Sequence, residues 1–216
     1  MRFTILTLFP KAFDSYLGES MMARAQKNKL IHIDIIDIRD FTDDKHHTAD
    51  SKPYGGGPGM VMRAEPILKA FTAIKKKSKK IRVIITSAAG KPFTNTLARA
   101  YTKKYDHLVM IAGHYEGIDE RIKKALKAEE ISIGDYILTG GELPALVMID
   151  AISRQIKGVL GRVESLEESR LGAGVPAYTR PEVLTYKGRK YKVPKELVSG
   201  NHATIEAWKR KHQKKI

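Results

Sequence analysis

The sequence predicts an α/β fold built on an open parallel sheet, with a small basic domain after it, and three observations carry that prediction. The chain opens strand, helix, strand: residues 3–9 are β-branched and aromatic, 19–29 are helical in composition, and 31–38 alternate apolar with polar. Three later apolar runs, 81–85, 107–112 and 130–133, end in small-residue loops at Thr86, Gly113 and Gly134, and loops at the carboxyl ends of parallel strands are where such sheets bind ligands. The character then changes at Gly158, beyond which apolar periodicity stops and basic residues accumulate.

Each element has a local reason. The first run is bounded by Pro10 and reads as a strand covered on both faces. In the second, the Ile35-Ile36 pair breaks the alternation as a buried centre does. Residues 39–59 form a polar, glycine-rich connection, long enough inside a compact domain to be functional. It lacks the Lys-Ser/Thr ending of a phosphate-binding loop, which argues against nucleoside triphosphate binding. Its adjacent His46 and His47 have no third ligand at helical spacing and read as solvated. Helices are expected over 65–76, 94–103 and 119–126, the first running into the basic stretch 75–80.

Residues 131–144, Ile-Ser-Ile-Gly-Asp-Tyr-Ile-Leu-Thr-Gly-Gly-Glu-Leu-Pro, then lead into the most apolar segment of the chain, a helix over 143–156. A strand end, three glycines and a proline describe a backbone that can approach a ligand closely before a helix starts. The division this implies is an α/β domain over 1–157, a linker over 158–176 and a basic domain over 177–216 that ends in a helix over 204–215.

Composition narrows the function. The chain has 216 residues, 42% of them hydrophobic, and 39 Lys and Arg against 24 Asp and Glu for a formal charge of +15. Enough apolar surface exists for a real core, and the charge points to a polyanionic partner, nucleic acid before membrane. With no cysteine, disulfides, thiolate nucleophiles and sulfur-ligated zinc are excluded, in keeping with a cytoplasmic setting. No apolar run approaches the eighteen or so residues of a membrane span, and the N-terminal run lacks the features of a signal peptide.

Five motifs taken together are more specific than any one: Tyr54-Gly-Gly-Gly-Pro-Gly-Met60, Gly113-His-Tyr-Glu-Gly-Ile-Asp-Glu-Arg121, Ser132-Ile-Gly-Asp-Tyr136 with Gly140-Gly-Glu-Leu-Pro144, Tyr178-Thr-Arg-Pro181 and Ser199-Gly-Asn-His202. In this order they resemble the bacterial tRNA (guanine-N1)-methyltransferase family TrmD, of the SPOUT superfamily, over nearly the whole chain. The resemblance implies a SPOUT-type parallel sheet with a deep trefoil knot, a small mainly helical C-terminal domain that grips tRNA, and a homodimer with its active sites at the interface. It implies S-adenosyl-L-methionine as methyl donor and, as acceptor, N1 of guanine 37, on the 3′ side of the anticodon in the tRNA anticodon stem-loop. It also suggests a divalent-ion requirement, for which Mg2+ is the candidate, without naming metal ligands.

The same resemblance assigns residues. Guanine N1 must lose a proton before it can attack, and charge then builds on O6, so the chemistry asks for a carboxylate base and a fixed guanidinium. Arg154 matches the family's arginine. The base falls in Ser165-Leu-Glu-Glu-Ser169, which is one residue shorter than the family pattern and has Glu for Asp; Glu168, directly before Ser169, is the candidate and Glu167 the alternative. The cofactor pocket maps to Thr86, Ser87, Gly113, Tyr115, Glu116, Ile133, Gly134, Asp135, Tyr136, Ile137, Leu138, Gly140 and Gly141. Two departures from the family lie there: Ser87-Ala-Ala-Gly90 replaces Ser/Thr-Pro-Gln-Gly, and His114 stands where arginine is common. Asp50, Tyr54 and Asn201 are expected to meet tRNA.

Overall fold

The computed structural model describes residues 1–74, 80–160 and 174–213. The chain divides into two compact units, Met1–Gly161 and Arg162–Ile216.

In the first unit the elements run β1 (Arg2–Thr7), α1 (Asp14–Leu17), α2 (Ser20–Lys27), β2 (His32–Asp37), β3 (Asp50–Ser51), β4 (Val61–Met62), α3 (Ala64–Ala73), β5 (Ile81–Pro92), α4 (Asn95–Lys104), β6 (His107–Ile111), α5 (Arg121–Leu126), β7 (Glu129–Ser132) and α6 (Glu142–Ser153). Five strands form one sheet in the order β2-β1-β6-β5-β7, and every pairing in it is parallel. Parallel strands need both faces covered, and two apolar clusters cover them. Phe3, Ile5, Leu108 and Met110 pack with residues of α2, α4 and α6, while Leu6, Val109 and Ile111 pack with Ile67 of α3 and Ile122 of α5. All five residues of β6, the central strand, are buried.

Helix ends follow their caps. Thr94 accepts a hydrogen bond from the Leu97 N–H and starts α4, worth roughly 1 kcal/mol. At the end of α2, Lys29 takes the left-handed conformation (φ 58) and the Leu30 N–H reaches the Ala25 carbonyl, the reverse turn that usually recruits glycine.

Several expectations are corrected. β5 does not stop at Thr86 but continues through Ser87-Ala-Ala-Gly90 to Pro92, with a register shift against β7 between Thr86 and Lys91. Gly90 permits this, because a Cβ there would lie 2.5 Å from the Ile131 nitrogen and 2.6 Å from the Glu130 carbonyl carbon. The long polar connection is partly ordered by a 3-10 turn over Ile38–Phe41 and by antiparallel pairing of β3 with β4. Val159, inside the stretch read as linker, is only 3% exposed and belongs to the first unit's core.

The second unit contains β8 (Val183–Tyr186), β9 (Arg189–Lys192), α7 (Lys195–Val198) and α8 (His202–Lys211). The antiparallel hairpin β8–β9 was absent from the mainly helical expectation; Lys187 and Gly188 both have positive φ (50 and 74), which suits a two-residue turn between twisted strands. Trp208 of α8 stacks on His212 at 4.1 Å and meets Tyr178 edge-on at 6.1 Å.

Candidate active site

Because β6, β5 and β7 are neighbours in the sheet, the loops at their carboxyl ends converge, and a cavity of about 370 Å³ opens between them. Its wall takes Thr86 and Ser87 from β5, Gly113, Tyr115 and Glu116 from the loop after β6, and Ile133, Gly134, Tyr136, Ile137, Leu138, Gly140 and Gly141 from the loop between β7 and α6. Of the residues expected around a cofactor, Asp135 alone is not on the wall. Tyr115 adopts a left-handed backbone (φ 59), a conformation that costs a non-glycine residue about 1 kcal/mol or more and that collects at functional sites.

Close backbone contacts shape the cavity. The Gly141 N–H donates to the Gly113 carbonyl at 2.7 Å, which ties the start of α6 to the end of β6. A Cβ on Gly141 would sit 2.7 Å from the Gly113 nitrogen, 2.8 Å from the Ala112 Cα and closer still to the Thr86 hydroxyl. The Ser132 hydroxyl donates to the Gly134 carbonyl at 2.9 Å and lies 3.2 Å from the Gly134 N–H, so the β7–α6 loop turns tightly on its own side chain. A Cβ at Gly134 would strike the Tyr136 ring.

The wall is acidic in a basic protein. Glu116, Asp119, Glu120 and Glu130 all line it, with Lys123 among them. Lys123 bonds to Glu130 and lies 3.7 Å from Glu120, and the Glu130 bond and these two charges raise its pKa above the ordinary lysine value. Asp119 is held below the usual carboxylate range by hydrogen bonds from Arg121. Behind the wall lies Glu142, the first residue of α6 and only 8% exposed. Its Oε1 accepts from the Thr7 hydroxyl at 2.8 Å, and its Oε2 is 3.7 Å from Nδ1 of His114, which also lines the cavity. A carboxylate at a helix N-terminus is favoured by the backbone dipoles. The cavity therefore offers negative side chains to a cationic ligand, backbone groups and rings to a flat one, and glycine approaches that a Cβ would fill.

Arg154 is not at this cavity. It caps the C-terminal end of α6, whose N-terminal end adjoins the cavity, and a helix of 12 residues separates its ends by roughly 18 Å at 1.5 Å per residue. Asp150, one turn before Arg154 on α6, accepts a hydrogen bond from the Tyr16 hydroxyl. The hydrogen bond to Asp150 pushes the Tyr16 phenol up to about 12, with a smaller opposing pull from Arg154.

Glu167 and Glu168 lie outside the described residues. Asp50 pairs with Met62 in the short β3–β4 ladder. Tyr54 is fully exposed, next to three glycines of positive φ. Asn201 serves the fold, because its side-chain oxygen accepts from the N–H groups of Ala203 and Thr204 and caps α8. Sequence reasoning did not single out Thr7, Glu142 or the carboxylates after Gly117. Thr7 and Glu142 are 135 positions apart, so no local pattern joins them; the acidic run Asp119-Glu120 was visible but looked like the start of a helix. Among the described residues no group of three or more His, Asp or Glu is placed to hold a metal ion, and no helix is long and apolar enough to cross a membrane.

Comparison with known proteins places this geometry in context. The whole chain, residues 1–216, matches the family described as tRNA (Guanine-1)-methyltransferase TrmD. It is 48% identical over 216 residues to a protein of Desulforamulus reducens, covering 98% of this chain and 83% of that one. Against a protein of Carboxydothermus hydrogenoformans the identity is 50% over 214 residues, with 98% and 82% coverage. Against one of Ruminiclostridium cellulolyticum it is 48% over 213 residues, with 97% and 89% coverage. All three relatives are named tRNA (guanine-N(1)-)-methyltransferase.

Proposed function

Since the chain belongs to the tRNA (guanine-1)-methyltransferase TrmD family, we propose that it transfers a methyl group from S-adenosyl-L-methionine to N1 of guanine 37 in tRNA. The observation that carries this reading is the acidic, glycine-walled cavity at the carboxyl ends of β5, β6 and β7. When bound there, the donor supplies a methyl group already activated on a sulfonium cation. Glu116 and its acidic neighbours offset positive charge, and Thr86, Ser87, Gly113 and Tyr115 bound one side of the ligand. The backbone of Ile133, Tyr136 and Leu138 reads the adenine edge, and the turns at Gly134, Gly140 and Gly141 bring that backbone close enough to do so. Asp135 shapes the loop from outside the wall.

On the acceptor side, Glu168 takes the N1 proton as general base, with Glu167 as the alternative, and Arg154 stabilises the charge that builds on O6. These roles require a homodimer, because Arg154 and the cavity stand at opposite ends of α6 in one chain. Further support comes from the apolar side chains α6 leaves in solvent: Leu143 is 61% exposed and Val147 47%, and at i and i+4 they share a face that a second copy would cover. The parallel sheet, with β7 reached from β6 by crossing β5, is consistent with a SPOUT-type fold whose chain is knotted around the donor site.

The anticodon stem-loop of tRNA is the partner. Lys187, Arg189, Lys190 and Lys192 of the hairpin region take its phosphates, while Asp50 and Tyr54 meet the anticodon side; Asn201 contributes by capping α8. The setting is cytoplasmic. The test is methyl transfer onto tRNA transcripts carrying guanine or another base at position 37, followed by nucleoside analysis. N1-methylguanosine from the guanine transcript alone is expected; ribose methylation, or equal transfer to both transcripts, would overturn the proposal.

A further inference from the structure

His114 sits in the cavity wall with its ring fixed on two sides. The Phe9 ring packs against it at 4.6 Å between centroids, and Tyr115 meets it edge-on at 4.9 Å. Its backbone N–H points to the Met62 sulfur at 3.2 Å, and it pairs with Gly140 in an isolated bridge. Nδ1 is buried, makes no hydrogen bond, and lies 3.7 Å from Oε2 of Glu142. A Cβ on Gly140 would come within 2.5 Å of that nitrogen, so the glycine makes room for the His114–Glu142 pair. With Nδ1 turned to Glu142, Nε2 is the nitrogen on the opposite edge of the ring, and His114 lines the cavity.

We propose that His114, backed by Glu142, binds the carboxylate at the amino-acid end of the methyl donor; this rests on reading the cavity as the donor's site. The donor carries a sulfonium, an ammonium and a carboxylate. Glu116, Asp119, Glu120 and Glu130 suit the two cations and repel the anion. Lys123, also on the wall, bonds to Glu130 and lies beside Glu120, so its charge is already matched. Among the described residues lining the cavity, His114 is the other side chain that can carry positive charge. With Nδ1 turned to Glu142, the nitrogen on the opposite edge of the ring is the one left to donate to the anion, and both ring nitrogens are then satisfied. The charged and titratable groups around the ring are Glu142 from α6, Arg39 on the Phe9 ring at 5.5 Å, and Tyr115 and Glu116 from its own loop. Glu142 is the one whose carboxylate faces a ring nitrogen, which orients the ring.

The test is calorimetric binding of S-adenosylmethionine and of its decarboxylated analogue to the full-length protein, with His114→Ala and His114→Arg alongside. A charge-assisted hydrogen bond makes the wild type prefer the carboxylated ligand by about tenfold or more. His114→Ala should reduce that preference to about threefold or less, and His114→Arg should restore it. Each ratio is taken on one variant, so a change in its folding stability cancels. If His114→Ala keeps the wild-type ratio, or the wild type shows no preference, the role assigned to His114 is wrong while the donor site stands. If the wild type binds neither ligand, the donor site itself is refuted, and the inference with it.

Discussion

Replacing Gly141 by alanine tests how the cavity is built. The added Cβ would meet the Gly113 nitrogen at 2.7 Å and the Ala112 Cα at 2.8 Å, with the Thr86 hydroxyl nearer than either. Two of these are backbone atoms of the central strand's exit, where Ala112 is fully buried, so the start of α6 must move away. That displacement breaks the 2.7 Å hydrogen bond from Gly141 to Gly113, worth about 0.5–1.5 kcal/mol, and overpacks a fitted region at about 1–3 kcal/mol. The sum is about 1.5–4.5 kcal/mol. For a unit of this size each kcal/mol moves the melting midpoint by roughly 2–4 °C, so a fall of roughly 3–18 °C is expected in a thermal melt followed by circular dichroism. The same shift parts Gly141 from Thr86 and widens the cavity, so calorimetry should record weaker donor binding. A melting midpoint within about a degree of wild type, with donor affinity unchanged, would refute the claim that close backbone approach at Gly141 shapes the site.

Ultraviolet titration should find Tyr16 ionising near 12, and Asp150→Asn should bring it back toward the ordinary tyrosine value of about 10; because the folded value is raised, the stabilisation from this pair is full below about pH 10 and disappears as pH rises through 12. Asn201→Ala should destabilise the second unit by about 1 kcal/mol in denaturant unfolding, whereas Asn201→Ser keeps the cap; tRNA affinity that survives the serine variant assigns Asn201 to structure, and a loss in both variants assigns it to direct recognition. Neutralising Lys187, Arg189, Lys190 and Lys192 together should weaken tRNA binding and flatten its dependence on salt, by roughly 0.7–0.9 in log–log slope for each phosphate no longer neutralised. An unchanged slope would remove the hairpin from the tRNA surface.

What could be read beforehand divides by the range of the interaction. β1, β6 and α6 were legible because runs such as Leu108-Val-Met-Ile111 are covered on both faces and carry their burial in their composition. The hairpin β8–β9 was not, because Arg189-Lys-Tyr-Lys192 reads as charge rather than strand, although the Lys-Gly turn between its strands was a usable signal. β5 was cut short at Thr86 because Ser87, Ala88 and Ala89 look like a loop; only the fit of Gly90 against β7 extends the strand. At the site, the glycines between Ile133 and Glu142 announced close backbone approach. The Thr7–Glu142–His114 cluster is assembled from three distant segments, and no periodicity could have joined them. Asn201 shows the opposite case: an asparagine directly before a helix is an N-cap signal, and its place in a recognised motif drew attention away from that local role.

The proposed mechanism depends on an active centre made of one chain's cavity and another chain's Arg154, because α6 holds the two roughly 18 Å apart within a chain. Mixing two inactive proteins separates this arrangement from one confined to a single chain: Arg154→Ala, whose cavity is intact, and Glu116→Lys, whose charge reversal at the wall abolishes donor binding. Random exchange makes half of the dimers mixed, each with one complete centre, so methyl transfer to a guanine-37 transcript should recover to about one quarter of the wild-type rate per chain. No recovery after exchange, with mixed dimers confirmed by mass spectrometry, would mean that Arg154 and the cavity of the same chain act together, and the shared centre would have to be abandoned.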